Sequence, residues 1–200
     1  MGKRNPNALP KGSKKRVEPI REIADIKKIK NLLMGKPMYN AIFVFGINTN
    51  LRSVDILSIK TDQVKDPYPG MEIIVYEKKT DKTRRINLNK EVVKALKFYM
   101  ASRQFKNEEY LFASKKSSVH PHLLPATLST EVKKWCKAVG LRGNFASHTL
   151  RKTWGYHQRV TFNVSLPILM ECFNHSNQKQ TLDYLCIQPQ EIREIYENSL

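Results

Sequence analysis

The segment His148-Thr149-Leu150-Arg151 places an imidazole and a guanidinium three residues apart, in a stretch whose periodicity predicts a helix over 148–160. Side chains at this spacing lie on one face of a helix. A guanidinium binds phosphate well, and an imidazole exchanges protons near neutral pH. The pair therefore has the chemistry to hold a phosphate while a proton moves beside it. The alternative is that two surface residues happen to be neighbours.

Two other pairs could take part in the same chemistry. Arg52 has Asp55 three residues after it in a short predicted helix, and an acid at that spacing can orient a guanidinium. His175 follows a predicted helix, and Tyr184 lies nine residues beyond it. Each pair also has an ordinary interpretation, because Arg–Asp pairs are usually surface salt bridges and a lone His or Tyr usually serves packing.

Two strand-like segments, 71–76 and 84–88, alternate apolar and polar residues and predict a hairpin or small antiparallel sheet. The connecting turn carries Lys79, with Lys78 and Lys82 close to it. A lysine run of this kind is typical of a solvated turn. By itself it therefore indicates no site.

The rest of the chain is predicted to be mostly helical, because apolar residues recur at helical spacing. The predicted helices begin near Ile23 and then cover 41–47, 51–59, 90–103, 128–139, 148–160, 165–173, 181–186 and 191–199. Pro121 and Pro125 mark a loop between two of them. We therefore predict a mainly α fold with a small antiparallel β-sheet, in the α+β class.

The charge of the chain points to a polyanionic partner. Its 200 residues include 35 Lys and Arg against 18 Asp and Glu, a formal net charge of +17. Nucleic acid is the first candidate for such a partner, and an anionic membrane surface is the second. The longest apolar run, 41–47, is far too short to span a bilayer, and no signal peptide is visible. We therefore expect nucleic acid as the partner and no membrane.

Residues 1–16 are basic, contain no acid and have almost nothing to bury, so we predict a flexible arm ahead of one domain over 17–200. A solubilising tail is the alternative. The candidates for contact with a nucleic-acid backbone, in the arm and around the hairpin turn, are Lys3, Arg4, Lys14, Lys15, Arg16, Lys78 and Lys82.

The cysteines indicate a reducing compartment. The three are widely spaced, and no CxxC pair occurs. Reduced thiols in a cytoplasmic protein are the simplest interpretation. His120-Pro121-His122 and the pair Cys172 and His175 do not provide a convincing set of four metal ligands, so we expect no metal site.

The order of the candidate residues resembles the tyrosine recombinase (phage integrase) family. Asn50-Leu51-Arg52-Ser53-Val54-Asp55 is similar to the first arginine motif of that family, and Ser147-His148-Thr149-Leu150-Arg151-Lys152-Thr153 is similar to its His-x-x-Arg motif. Phe173-Asn174-His175-Ser176, followed by Asp183-Tyr184, resembles the segment of the last histidine and the nucleophile. Lys79, which precedes a threonine in the predicted hairpin, resembles the lysine that lies between the first and second motifs in the family's chain order. The resemblance covers about 17–200 and implies a helical catalytic domain with a small sheet.

Three departures from the family pattern carry expectations of their own. The family usually has glycine before the Leu-Arg of the first motif and before the last histidine, where this chain has Asn50 and Asn174. Asparagine tolerates positive φ best after glycine, so we expect both turns to be kept. Family members normally also carry an N-terminal domain that closes over the DNA. Only the arm precedes residue 17, so we expect no core-binding domain: either the chain is a fragment or the clamp is missing, and an accessory protein is a candidate to supply it.

The resemblance implies site-specific recombination of double-stranded DNA by protomers that oligomerise on it. In this chemistry Tyr184 attacks a phosphodiester, giving a 3′-phosphotyrosine and a free 5′-hydroxyl, and a 5′-hydroxyl of a second strand reverses the step. His148 would take the proton of Tyr184, because a phenol with a pKa of about 10 attacks poorly without a base. Lys79 would give a proton to the leaving oxygen.

The remaining implied roles concern the phosphate. Arg52 and Arg151 would stabilise its charge as permanently charged donors, so neither a metal ion nor another cofactor is needed. His175 would bond a phosphate oxygen, and Asp55 would support the first arginine motif. We expect the reaction to take place in the cytoplasm of a prokaryotic or phage-infected cell.

Two other functions remain open from the sequence. The first is a catalytically weak or inactive integrase-like protein that regulates a phage or mobile element by binding DNA. The expected absence of a clamp favours it, and the full set of site residues argues against it. The second is a type IB topoisomerase, which has related chemistry and relaxes DNA as a monomer.

Overall fold

The protein is described from a computed structural model, which covers residues 16–77, 81–114 and 122–187. Its helices are α1 (Ile23–Leu32), α2 (Pro37–Gly46), α3 (Ser53–Leu57), α4 (Lys90–Met100), α5 (Pro125–Ala138), α6 (His148–Val160), α7 (Leu166–Phe173) and α8 (Gln178–Leu185). Strands β1 (Glu72–Glu77) and β2 (Lys82–Asn87) form a two-stranded antiparallel sheet. The predicted fold class is confirmed. Within the described ranges, no helix is long and apolar enough to cross a membrane.

Helix α2 lies at the centre of the larger of two apolar clusters. Every residue from Asn40 to Gly46 is buried, as expected of a helix that is apolar on all sides. The helix packs closely on α4, whose apolar stripe includes Val92 and Leu96. We call this cluster the main core. Its buried residues come from α1 to α5, from the hairpin, from Leu150 of α6 and from the segments that precede or connect these elements.

The hairpin pairs Glu72 with Asn87 at one end and Glu77 with Lys82 at the other. Because alternate residues of a strand face the same side, Ile73, Val75 and Glu77 all point towards the core and all are buried. A buried carboxylate at the end of a strand needs cationic or hydrogen-bonding partners. The register therefore places Glu77 where cationic or hydrogen-bonding side chains must lie beside its carboxylate.

The second apolar cluster is small and lies under α7 and α8. Leu169, Phe173 and Leu185 are its buried members, with Trp154 of α6 packed against them. We call α7, α8 and this cluster the satellite region. Gly155 of α6 allows the close approach, because a Cβ there would lie 2.5 Å from Phe173 Cζ and 2.6 Å from Leu185 Cδ2. Any larger residue at 155 would push the satellite region away from α6.

Several predicted boundaries are wrong in detail. The helix predicted over 51–59 is shorter, because the chain is extended at Arg52 and α3 begins only at Ser53. Pro125 is the first residue of α5 rather than part of a loop, and Pro37 starts α2 in the same way. Proline suits this position because the first N–H of a helix has no intrahelical partner. The helix predicted over 191–199 lies outside the described residues.

Candidate active site

Arg52 is held at the start of α3 by two carboxylates. Its side chain is 14% exposed, and its Nη1 lies 2.8 Å from Glu77 Oε2 and 3.9 Å from Asp55 Oδ2. Asp55 is fully buried. The acids hold the guanidinium in one place, so Asp55 lies where it can support Arg52.

A second guanidinium, Arg84 of β2, shares the same carboxylate. Its Nη1 lies 3.2 Å from Glu77 Oε1, so Glu77 bridges Arg52 and Arg84. Arg84 Nη2 donates to the Cys172 carbonyl at 2.8 Å. Cys172 is in the last turn of α7, where backbone carbonyls lack helical partners. Arg84 thus connects the hairpin to the satellite region.

Arg151 supplies a third guanidinium from the first turn of α6. It is buried, and its Nε donates to Asn50 Oδ1 at 3.0 Å. Asn50 has a φ of 55°, which confirms that asparagine keeps the turn for which the family uses glycine. The face of Phe173 lies against Arg151, with the ring centroid 5.2 Å from Cζ. Arg151 therefore lies where the main core and the satellite region meet.

The start of α6 is tied to two other helices by serine hydroxyls. Ser147 Oγ accepts hydrogen bonds from Ser53 Oγ at 3.2 Å and from Ser129 Oγ at 3.0 Å. Ser53 is the first residue of α3, so this link fixes the first arginine motif beside the His-x-x-Arg motif. His148 follows Ser147 and is exposed, whereas Arg151 on the same helical face is buried.

His175 and Tyr184 lie together in the satellite region. Helix α7 ends at Phe173, and the next residue, Asn174, has a left-handed φ of 56°, which confirms the second expected turn. His175 Nδ1 lies 3.0 Å from Thr181 Oγ1, and the His175 ring centroid is 5.4 Å from that of Tyr184. Both rings contact Phe173, at 5.2 Å and 5.0 Å. The last histidine and the tyrosine are therefore brought into contact.

Basic side chains surround Tyr184. The Nζ of Lys152, a buried residue of α6, lies 4.8 Å from the Tyr184 ring centroid, close enough for a cation–π interaction. Arg16 Nη1 pairs with Asp183 Oδ1 at 3.0 Å, one residue before the tyrosine. These residues, with Lys179 of α8, line an open hollow of about 520 Å³ beside Tyr184. A hollow with this charge suits a nucleic-acid backbone.

Burial and the arginines set the protonation states at the site. Burial raises the pKa of Tyr184 above its usual value, while the charges of Arg151 and Arg52 act in the opposite direction. Burial lowers the pKa of His175, and the same two arginines lower it further. Both groups are therefore neutral at pH 7, and a neutral phenol needs a base before it can attack.

The structure brings five of the predicted site residues together. Arg52, Asp55 and Arg151 are linked to His175 and Tyr184 through the contacts above, with His148 at the exposed start of α6. Lys82 is exposed at the start of β2. The other predicted residues, Lys79, Lys78, Lys3, Arg4, Lys14 and Lys15, lie outside the described residues, and their roles remain predictions.

Sequence reasoning did not find Glu77, Arg84 or the side-chain role of Asn50. Glu77 had a usable signal, since the alternation Ile73, Val75, Glu77 places a carboxylate on the inward face of β1. Arg84 is opposite Val75 in the register, which only the pairing of the strands reveals. For Asn50, the sequence predicted only the backbone conformation and not the side-chain contacts.

The chain is similar in sequence to known integrases and recombinases. The model of the phage integrase family matches residues 13–191. "Probable integrase/recombinase YoeC" of Bacillus subtilis is 32% identical over 183 residues, which cover 90% of this chain and 95% of YoeC. Tyrosine recombinase XerA of Pyrococcus horikoshii is 28% identical over 195 residues, 97% of this chain but 63% of XerA. The chain thus spans less than two thirds of the length of XerA.

Solved structures share the fold. A crystal structure of XerA recombinase matches with a TM-score of 0.72 and 21% identity, over 96% of this chain and 66% of that one. XerH site-specific recombinase, bound to a palindromic difH substrate, matches with a TM-score of 0.70 and 20% identity, over 94% of this chain and 55% of that one. The fold is that of a tyrosine recombinase catalytic domain, and the chain belongs to the phage integrase family of tyrosine recombinases.

Proposed function

We propose that this chain carries out site-specific DNA recombination, with Tyr184 as the nucleophile that joins covalently to DNA. The proposal rests on three contacts. Tyr184 lies beside His175, and the ring of Phe173 contacts both Tyr184 and the buried guanidinium of Arg151. Attack on a phosphodiester requires a nucleophile and fixed positive charge at the phosphate.

The arginines bind the phosphate in this proposal. Arg52 and Arg151 direct charged donors at its non-bridging oxygens, where negative charge develops as the tyrosine attacks. Glu77 already engages Arg52 and Arg84. A guanidinium has five donors, so Arg52 can keep Glu77 on one side and bind phosphate with the others. The phosphate site is then organised before DNA arrives.

Two protons move in the strand-cleavage step. The Tyr184 oxygen forms a bond to phosphorus and gives its proton to His148, as the bond from phosphorus to the 5′-oxygen breaks. Lys79 gives a proton to that leaving oxygen, and His175 bonds a phosphate oxygen. The product is a 3′-phosphotyrosine and a free 5′-hydroxyl. Attack by the 5′-hydroxyl of a second strand reverses every transfer, so the energy of the phosphodiester is conserved.

The partners follow from the reaction. Strand exchange joins two duplexes, so several protomers must assemble on double-stranded DNA. We include in the proposal an accessory protein that covers the opposite side of the duplex, and a location in the cytoplasm where the chromosome or phage DNA lies. If the purified chain recombines DNA efficiently with no other protein present, the accessory protein is not needed.

The proposal is tested by trapping the covalent intermediate. Each duplex of a random-sequence library carries a nick close to a candidate scissile phosphate. Cleavage then releases the short strand that bears the 5′-hydroxyl, and religation is prevented. Adducts that survive detergent are isolated, and the DNA is sequenced. We expect adducts with the parent chain, in the presence of chelator, and none with Tyr184→Phe. DNA binding without any adduct would contradict the proposal and favour a DNA-binding regulator.

A further inference from the structure

Asn50 does more at its position than allow a turn. A glycine would be sufficient for a φ of 55°, and glycine is what the family resemblance leads us to expect there. Asn50 is instead 1% exposed, and both ends of its amide are used. Oδ1 accepts from Arg151 Nε at 3.0 Å, and Nδ2 donates to the Cys172 carbonyl at 2.8 Å.

The first of these hydrogen bonds fixes the plane of a guanidinium. The five donors of arginine lie in one rigid plane, so a partner on Nε determines the direction in which the Nη groups point. The Phe173 ring packs against Arg151 with its centroid 5.2 Å from Cζ. Asn50 thus holds Arg151 at Nε, and the Phe173 ring packs against the guanidinium.

The second hydrogen bond reaches the nucleophile side of the site. The Cys172 carbonyl is in the last turn of α7, two residues before the turn at Asn174 that leads into His175. It accepts from Asn50 Nδ2 and from Arg84 Nη2, both at 2.8 Å. The short side chain of Asn50 therefore joins Arg151 to the backbone that carries the last histidine.

We propose that Asn50 is a positioning residue that aligns Arg151 with the satellite region, so that phosphate and nucleophile meet in the correct geometry. This inference rests on the proposed function. Asn50 touches neither DNA nor the reacting atoms in this account, and it acts through Arg151 and the end of α7. A hydrogen bond to a charged group corresponds to about 10- to 100-fold in an equilibrium or rate.

The first test removes the amide and keeps the backbone. Asn50→Gly allows the same φ, and Asn163→Gly makes the same substitution at a φ of 53°, beyond the opposite end of α6 from His148. Cleavage is measured in a single turnover on saturating nicked duplex, and the Kd for that duplex is measured separately. We expect Asn50→Gly to cleave about 10- to 100-fold more slowly with its Kd changed less than about two-fold. Asn163→Gly should cleave as the parent does.

A double-mutant cycle separates positioning from general damage. Lysine at 151 has no Nε–H for Asn50 to hold, so Asn50→Gly should slow Arg151→Lys less than about two-fold. An equal slowing by Asn50→Gly in the parent and in Arg151→Lys would overturn the inference. So would a parent-like rate for Asn50→Gly.

A second test does not require cleavage and so separates this inference from the proposed function. The Nε–H signal of Arg151 is assigned by its loss in Arg151→Lys, and its exchange with solvent is measured by NMR in the free protein. We expect slow exchange in the parent, in Asn163→Gly and in Asn50→Asp, which keeps an acceptor, and fast exchange in Asn50→Gly. Slow exchange in folded Asn50→Gly, or equally fast exchange in Asn50→Asp, would overturn the role of Asn50 even if the parent never forms a DNA adduct.

Discussion

The guanidinium groups of Arg52 and Arg84 and the proposed nucleophile, Tyr184, lie in regions that are packed very differently. Arg52 immediately precedes α3 and Arg84 belongs to the hairpin, and the apolar residues of both elements are part of the main core. His175 and Tyr184 belong to the satellite region, where the described chain buries three apolar residues, Leu169, Phe173 and Leu185. Arg151 and the hydrogen bonds on the Cys172 carbonyl connect the two regions.

This difference in packing predicts a difference in local stability between the two regions. Elements with few buried apolar contacts open at a lower free energy than the rest of a domain. We therefore expect the surroundings of Arg52 and Arg84 to be rigid before DNA binds, and the alignment of Tyr184 to be the adjustable part. The residues at the junction, Asn50, Arg151 and Gly155, decide how well the two regions fit together.

The largest expected effect comes from the two arginines that are proposed to bind the phosphate. Arg52→Lys or Arg151→Lys keeps a positive charge but loses the planar set of donors, so cleavage should fall by about 10² or more. Arg85→Lys is the matched control, because Arg85 is exposed on β2 and pairs with Glu72 away from the site. Single-turnover cleavage measures all three variants. Near-normal cleavage by Arg151→Lys would show that this residue does not bind the scissile phosphate.

A smaller effect is expected at the junction. Gly155→Ala places a methyl group within 2.6 Å of side-chain atoms of Phe173 and Leu185, so α7 and α8 must move outward. Overpacking of this kind costs about 1–3 kcal/mol, measured as the free energy of unfolding in urea. Gly35→Ala is the control, because nothing lies within 4 Å of a Cβ there. Cleavage should fall in Gly155→Ala, whereas DNA binding should change little. Equal stability of the two variants would mean that α6 and the satellite region are not tightly packed.

The sequence predicted the parts of this site that follow from residue order and backbone preference. The turns at Asn50 and Asn174 were predictable, because few residues tolerate positive φ. The helix over 148–160 was predicted with both ends correct. The partners of Arg52 and Arg151 were not predictable in this way, because they depend on which elements meet in space. Glu77 and Asn50 come from other elements, and only the packed fold brings them to the arginines.

Hydrogen exchange compares the two regions within one molecule. Amides of α2 and α4 in the main core should exchange only when the whole domain unfolds, whereas amides of α7 and α8 should exchange through a smaller, local opening. Native-state exchange over a series of denaturant concentrations measures both opening free energies. If α7 and α8 are protected as strongly as α2, the proposed difference between the regions does not exist.

The smallest expected effect concerns pH. Burial lowers the pKa of both His157 and His175 below the value in the unfolded chain, near 6.5. The unfolded state then binds more protons as the pH falls, so stability is fully present above about pH 6.5 and decreases below it. Urea unfolding between pH 7.5 and 5.5 should show this slope, and His175→Gln should reduce it. An unchanged slope in His175→Gln would contradict the expected burial of that imidazole.

The identity of the attacking residue is the central claim, and peptide mapping of the trapped adduct tests it most directly. Tyr196 is the rival nucleophile that the sequence offers. Trypsin cleaves after Lys179 and after Arg193, so Tyr184 and Tyr196 fall on different peptides. We predict that mass spectrometry finds the nucleotide on the peptide 180–193, at Tyr184 and through a 3′-phosphate. A nucleotide on the peptide 194–200, or an undiminished adduct from Tyr184→Phe, would contradict the assignment of Tyr184 as the nucleophile.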